Sequence, residues 1–333
     1  MAPITFPSRD APAAADLADT LRGAKPLTPG QLAWRRFRRH RMAMLGVFTL
    51  ILLSLYSTVG GMLWATGYCA PLDKTLRGEA WANCNDTGKK LQAPSAAHLF
   101  GTDTIGRDIF ARTIYGAQIS LLIGLTATLL EVIVGTLVGA TAAYYGGWVD
   151  GVLMRITEAM LTIPSLFLLI VTAKFFGGKI PSLQLFGREL TGSVLVIIVI
   201  IAATSWMYLA RIVRANVLSL RELDYVSAAR ALGVSNARII FAHLLPNTLA
   251  PIIVSATLGV AGAILSEAYV SFFGLGVQPP TASWGNMLES AYKYLESAPW
   301  LWFFPGTLIL LTVLSINFVG DGLRDALDPR SRA

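Results

Sequence analysis

Charge is scarce in this sequence. Asp, Glu, Lys and Arg make up 14% of 333 residues, against roughly 25% in soluble globular chains. Charges are costly in hydrocarbon, so the deficit points away from a soluble domain and toward a membrane protein. There are only two cysteines, which excludes a disulfide-dense secreted scaffold. The three histidines, His40, His98 and His243, fall in separate segments without H-x-x-x-H spacing, which argues against a zinc enzyme. No G-x-x-x-x-G-K-[ST] run occurs, so the chain lacks the loop that cradles ATP phosphates. Acidic residues inside the apolar runs are few, which disfavours an ion-coupled secondary transporter.

Apolar residues fill the space left by charge: 54% of the chain is hydrophobic, with a mean hydropathy of +0.58. Ala43–Ala65, Thr191–Ala210 and Pro299–Gly320 carry no charge at all. Each is about the 20 residues that a helix needs to cross hydrocarbon. Thr113–Ala143, Ile156–Ala173 and Thr248–Ser266 are further candidates, giving six predicted spans. The first run starts too far into the chain, and is too long, for a cleavable signal core.

Basic residues set the orientation. With the N-terminus in the cytoplasm, inner segments hold 17 of the 27 Lys and Arg residues, and the outer ones 10. The cluster "WRRFRRHR", Trp34 to Arg41, is the strongest signal and reads as an anchor on anionic membrane lipid, not a nucleic-acid site. The predicted organisation is a cytoplasmic tail over 1–42, mobile to residue 30, and a first span over 43–65. An outer loop over 66–112 precedes a five-span core over 113–320 with a cytoplasmic segment at 216–247. A short cytoplasmic tail, 321–333, ends the chain.

Cys69 and Cys84 both fall in the outer loop, where a loop-closing disulfide is favoured over a free pair, and a metal site would want more ligands. Ionisable residues in spans are functional candidates by default. Glu131 lies inside the second span, where a buried hydrogen bond to a neighbouring helix competes with a role on a substrate path. Arg155 and Glu158, three apart, read as an interfacial pair fixing helix depth. Glu267 sits near the outer end of the fifth span, beside Gly274, Gly276 and two prolines. It is the candidate for an external gate or substrate path.

The segment "DYVSAARALGVSNARIIFAHLLPN", Asp224 to Asn247, lies between two spans. Ser219 and Glu222 have capping-box spacing and predict a helix start. Tyr225, Ala228, Ala229 and Leu232 recur at helical spacing. Gly233 suits the left-handed residue that ends a helix, Ser235 can cap a second, and Pro246 separates that one from the next span. The product is a helix–turn–helix elbow with a small-residue face. The residues alone leave two readings open: an elbow shaped to be gripped by a partner, or an amphipathic helix lying on the membrane.

The same segment resembles a signature of bacterial ABC importer permeases: E-A-A-x-x-x-G, nine residues, then I-x-L-P. Here it reads Ser227-Ala228-Ala229, Gly233, then His243-Leu244-Leu245-Pro246, with Ser227 in place of the Glu and His243 in place of the Ile. "GTDTIGRDIFARTIYGAQISL" (Gly101–Leu121), "FFGLGVQPPTASWGNML" and "GDGLRDALDPR" (Gly320–Arg330) are similar to the dipeptide/oligopeptide/nickel branch. The basic cluster and single leading span resemble its C-type subunit. The resemblance spans roughly residues 34–330. It implies an all-α membrane protein of type I architecture, with six transmembrane helices and a cytoplasmic coupling elbow built around Asp224, Tyr225, Ser227, Ala228, Ala229, Gly233, Leu245 and Pro246. It also implies a homologous permease partner, two cytoplasmic ATPase subunits that bind ATP and Mg, an extracytoplasmic substrate-binding protein, and no cofactor in this chain. Peptides are the expected cargo, with nickel or another small solute as the alternative.

Overall fold

The computed structural model describes residues 28–64, 82–176, 179, 181–185 and 188–328. A short amphipathic helix α1 (Pro29–Arg39) leads into α2 (Arg41–Trp64). Then come α3 (Ile109–Tyr145), α4 (Gly147–Thr162), α5 (Ser165–Phe176) and two three-residue strands, β1 (Leu183–Leu185) and β2 (Arg188–Leu190). They are followed by α6 (Gly192–Leu220), α7 (Asp224–Ala231), α8 (Asn236–Phe272), α9 (Trp284–Ala291) and α10 (Trp300–Leu327). Among the described residues, the antiparallel pair β1–β2 forms the one sheet.

Among the described residues, five helices, α2, α3, α6, α8 and α10, are long and apolar enough to cross a membrane. The third predicted span, Ile156–Ala173, is not one straight helix. It divides into α4 and α5, which bend by 86° at a short break. Pro164 explains the break. It lacks an N–H and pushes the residue before it out of helical geometry, and Ile163 is extended (φ −82°, ψ 127°). If the bent pair is one span, the total is six.

The bundle is organised around α3 and α6, which pack along each other more extensively than any other pair. Small residues make the approach possible. A Cβ on Gly135 would come within 2.9 Å of the Trp206 carbonyl oxygen, and one on Gly139 would run into the Ala210 carbonyl. Gly135, Gly139 and Ala143 lie four apart, the spacing that lets membrane helices bring their backbones together. The outward faces stay apolar, with Phe48, Leu125, Leu129 and Leu310 exposed, as hydrocarbon allows.

Two further expectations are revised. Thr28 caps α1: Gln31 N–H donates to Thr28 Oγ1 (3.3 Å) and Thr28 N–H to Gln31 Oε1 (3.0 Å). Residues 28–30, expected to be mobile, thus begin a capped helix, the basic cluster is helical, and the rest of the expected mobile tail lies outside the described residues. Phe37 of α1 is buried with Ala43 and Ala326. The Ser219–Glu222 capping box is not used. Ser219 lies in the last turn of α6, and α7 starts at Asp224 without a side-chain cap. Val213 and Val217 are fully buried against the α3 side of the bundle, so packing extends α6 past the local start signal.

Candidate functional site

The elbow is folded by its own apolar seam. Val226 and Ala229 of α7 are buried with Ile239, Ile240 and Leu244 of α8 and with Val213 and Val217 of α6. A Schellman turn ends α7: Gly233 N–H donates to Arg230 O (3.0 Å) and Val234 N–H to Ala229 O (3.1 Å). Gly233 has φ +76°, the left-handed conformation expected of it. Ser235 precedes α8 without a side-chain cap bond. The two small residues separate in role. Ala229 faces the seam, whereas Ala228 is exposed. Asp224, Tyr225, Ser227 and Gly233 are also exposed, and Leu232 at the tip is 83% exposed.

Pro246 does not separate the second elbow helix from the fifth span, as the sequence suggested. The helix runs through it from Asn236 to Phe272. Pro246 cannot donate a backbone bond, and the ladder adapts around it: a π segment over Ile239–Leu244, then a 3₁₀ turn over Leu245–Thr248. Leu245 is half-buried and Pro246 exposed.

Residues that carried no sequence signal tie this elbow to the bundle. The Tyr144 hydroxyl, at the end of α3, donates to Asn236 Oδ1 at 2.8 Å. The Arg230 guanidinium of α7 lies 5.1 Å from the Tyr144 ring centre. Arg221 Nη1 donates to the Ala143 carbonyl at 2.5 Å and so satisfies the C-terminus of α3. Arg214 of α6 grips Asp150 of α4 through two bonds of 2.5 Å. One helix end, Tyr144, thus touches both elbow helices at once. A three-helix contact of this kind leaves no local periodicity.

At the opposite end of the bundle, Glu267 is fully buried. Its carboxylate accepts from Ser271 Oγ (2.7 Å), Ser283 Oγ (2.7 Å) and Ser120 Oγ (3.1 Å). Those serines belong to α8, the loop before α9, and α3. Ser271 Oγ also accepts from Val277 N–H (3.1 Å), and Ser283 caps α9 through Asn286 N–H (3.2 Å). Asn286 in turn donates to the Val277 and Thr281 carbonyls. Glu267 is therefore the hub that fastens the whole loop between α8 and α9.

Glu131 is 8% exposed and makes no hydrogen bond among the described residues, so the expected bond to a neighbouring helix is absent there. A Cβ placed on Gly259 of α8 would meet its carboxylate oxygens at 3.2 and 3.5 Å, so it faces that helix. Arg155 and Glu158 form the expected surface pair at 3.4 Å. Of the proposed Cys69–Cys84 bond, Cys69 lies outside the described residues, and Cys84 carries no free thiol.

The segment ahead of the second span is a compact module. Asp103 Oδ1 accepts from the Ile105 and Arg107 amides, while Arg107 Nε donates to Asp103 Oδ2 at 2.6 Å. Asp108 caps α3 through Ala111 N–H (2.9 Å) and pairs with buried His98 at 3.0 Å. Burial raises the Asp108 carboxyl above its ordinary range, against the opposing pull of those hydrogen bonds. Phe100 stacks on Phe304 at 3.8 Å, so the module is fixed to α10.

Long apolar helices joined through one packed, exposed elbow define a multi-pass membrane protein. The comparisons specify which. Residues 135–333 match the family of binding-protein-dependent transport system inner membrane components, and residues 28–76 match the N-terminal transmembrane domain of oligopeptide transport permease C. The dipeptide transport system permease protein DppC of Alkalihalophilus pseudofirmus is 41% identical over 92% of each chain. DppC of Bacillus subtilis is 40% identical over 91% of this chain and 86% of its own. A putative peptide permease protein of Brucella suis is 46% identical over 72% of this chain and 75% of its own. The chain belongs to this family and is an ABC importer permease of the C type.

Proposed function

We propose that this chain is one of two permease subunits of a binding-protein-dependent importer of di- and oligopeptides, with both termini in the cytoplasm. Its cargo is inferred from relatives named as dipeptide or peptide permeases across nearly the full chain. A homologous permease completes the path, an extracytoplasmic binding protein delivers peptide, and two ATPase subunits bind ATP and Mg and hydrolyse the nucleotide. One ATPase docks on the elbow.

The observation that carries the coupling role is an elbow packed along its own apolar seam with an exposed tip. Val226 and Ala229 seal it from below, while Tyr225, Ala228 and Leu232 are presented outward. ATP-driven closure of the ATPases displaces the elbow. The second elbow helix is one piece with α8, so displacement is transmitted to the span and not absorbed in a loop.

The test is Ala228→Arg. Its side chain starts on the exposed face, so the fold and membrane insertion are expected to survive. ATPase subunits are expected to be lost on purification, or retained with ATP hydrolysis no longer stimulated by loaded binding protein. Wild-type assembly and uptake would overturn the elbow as the coupling surface.

A further inference from the structure

Two cavities lie along the groove between α5 and α6. Toward the break in the third span lies an apolar cavity of about 380 Å³, lined by Met160, Leu168, Phe176 and Ala203, with the hydroxyl-bearing Thr172 and Thr204. At the end remote from the elbow lies a second cavity of about 330 Å³, and Val196 lines both. The second cavity differs in kind. Lys174 is its one charged residue, and Ser193, Gly276 and Gln278 share its wall. Lys174 is exposed, is the one charged residue in α5, and has no carboxylate partner among the described residues.

An unpaired ammonium in an apolar span is costly unless an anion meets it. A lysine near a helix end can also reach the headgroup layer. Here, however, it opens into a cavity whose opposite wall is held in place. Gln278 N–H donates to Ser193 Oγ (3.2 Å), and Gln278 Nε2 donates to the Gly274 and Gly276 carbonyls (3.1 Å each). The adjoining Val277 amide is bonded to Ser271, which is bonded to Glu267. The wall is therefore pre-formed, with its donor side chain locked. A cation beside an apolar cavity matches a solute that presents a carboxylate next to an apolar group. A free peptide is a zwitterion whose C-terminal carboxylate lies beside its last side chain.

We propose that the Lys174 cavity is a transit site for the C-terminal carboxylate of the imported peptide, with the apolar cavity beyond it taking the side chains. The proposal rests on the peptide reading above. Glu267 is a positioning residue for this site: it holds the Gly276–Gln278 wall without touching the cargo.

The experiment uses the complete transporter, reconstituted with its partner subunits and binding protein in lipid vesicles. Uptake of a labelled dipeptide is measured together with ATP hydrolysis stimulated by loaded binding protein. Wild type is compared with Lys174→Met, which keeps the apolar stem, and Lys174→Arg, which keeps the charge. Lys174→Met is expected to lower peptide uptake per ATP roughly five- to tenfold, in line with loss of one charge-assisted contact in a partly open site. Lys174→Arg is expected to restore most of it. Equal uptake per ATP in wild type and Lys174→Met overturns the cavity proposal and leaves the peptide reading standing. So does an equal loss in the Met and Arg variants, which would mark a packing role. A wild-type transporter that imports no peptide overturns both.

Discussion

Removing Glu267 tests how the loop between α8 and α9 is held. Glu267→Ala deletes a carboxylate that accepts from three buried hydroxyls, those of Ser120, Ser271 and Ser283. None of the three serines is more than 1% exposed, so water does not replace the lost acceptor. A buried donor left without its partner costs about 1–3 kcal/mol. The hydroxyls share one acceptor, so the losses do not simply add. Ser120 and Ser283 also keep their bonds from Trp284 and Asn286 amides. A total of about 3–5 kcal/mol follows, in the range seen when a buried polar network is broken. Glu267→Gln is milder. Its carbonyl can still accept from Ser271 and Ser283, while its amide faces Ser120, so a cost of about 1–2 kcal/mol is expected.

The assay is thermal unfolding of the purified protein in mild detergent, paired with limited proteolysis across residues 273–283. Glu267→Ala is expected to lower the apparent midpoint by roughly 5 °C or more and to open the loop to cleavage; Glu267→Gln should do less of both. If Glu267→Ala melts with wild type and its loop stays protected, the bracing argument is wrong. If Glu267→Gln is as stable as wild type yet transports nothing, Glu267 acts on cargo directly, as its sequence position first suggested.

Two other substitutions test the elbow. A Cβ on Gly233 would meet nothing within 4 Å, so its φ of +76° alone sets the cost of replacement. Gly233→Asn should then be nearly tolerated, Gly233→Ala should cost about 1–2 kcal/mol, and Gly233→Val more; the order is read from unfolding midpoints, and equal midpoints for Asn and Val would refute it. Tyr144→Phe keeps the ring under Arg230 but loses the 2.8 Å bond to Asn236. The loss should be about 0.5–1 kcal/mol, too small to disturb assembly, and uptake per ATP should fall while ATPase subunits still copurify; unchanged uptake per ATP would mean that this tether does not transmit motion.

The parts of this molecule that the sequence made legible are those fixed by local physics. Uncharged runs place α2, α6 and α10, because a run of that length without charge can cross hydrocarbon as a helix. Gly233 announces its own turn. Two local signals were present but need stricter reading: Pro164 inside an apolar run, and Thr28 with Gln31 at capping-box spacing. Other features have no local signature. Ala228 and Ala229 are equally small, and only the seam with Ile239 and Leu244 decides which one faces outward. Ser219 looks like a cap until the burial of Val217 carries α6 past it. Tyr144 finds Asn236 across 92 positions, and Ser120 finds Glu267 across 147.

Those long-range contacts connect the two ends of the protein. Asn236 opens α8 at the elbow, and Glu267 sits near its far end, about 45 Å away at 1.5 Å per residue. One element therefore carries both the surface proposed to meet the ATPase and the hub that holds the wall of the Lys174 cavity. The ladder departs from α-helical bonding only between Ile239 and Thr248, next to the elbow, where π and 3₁₀ turns surround Pro246. Ile239, Leu244 and Thr248 are fully buried there, so packing holds that stretch against bending. Beyond Leu249 the helix is regular and is packed against α3 and α10, so it moves as a body. On the proposed function, an elbow displacement tilts this rod about its crossing with α3. Gly124 of α3 sets that crossing, because a Cβ there would press to 2.7 Å on Ile264. A pivot at Ile264 lies one turn from Glu267 and far from Asn236. The long arm is then on the elbow side, so a large displacement by the ATPases becomes a small, stiff one at the Glu267 hub. Breaking or making hydrogen bonds in a buried carboxylate–serine cluster requires that kind of motion, short in reach and strong in force.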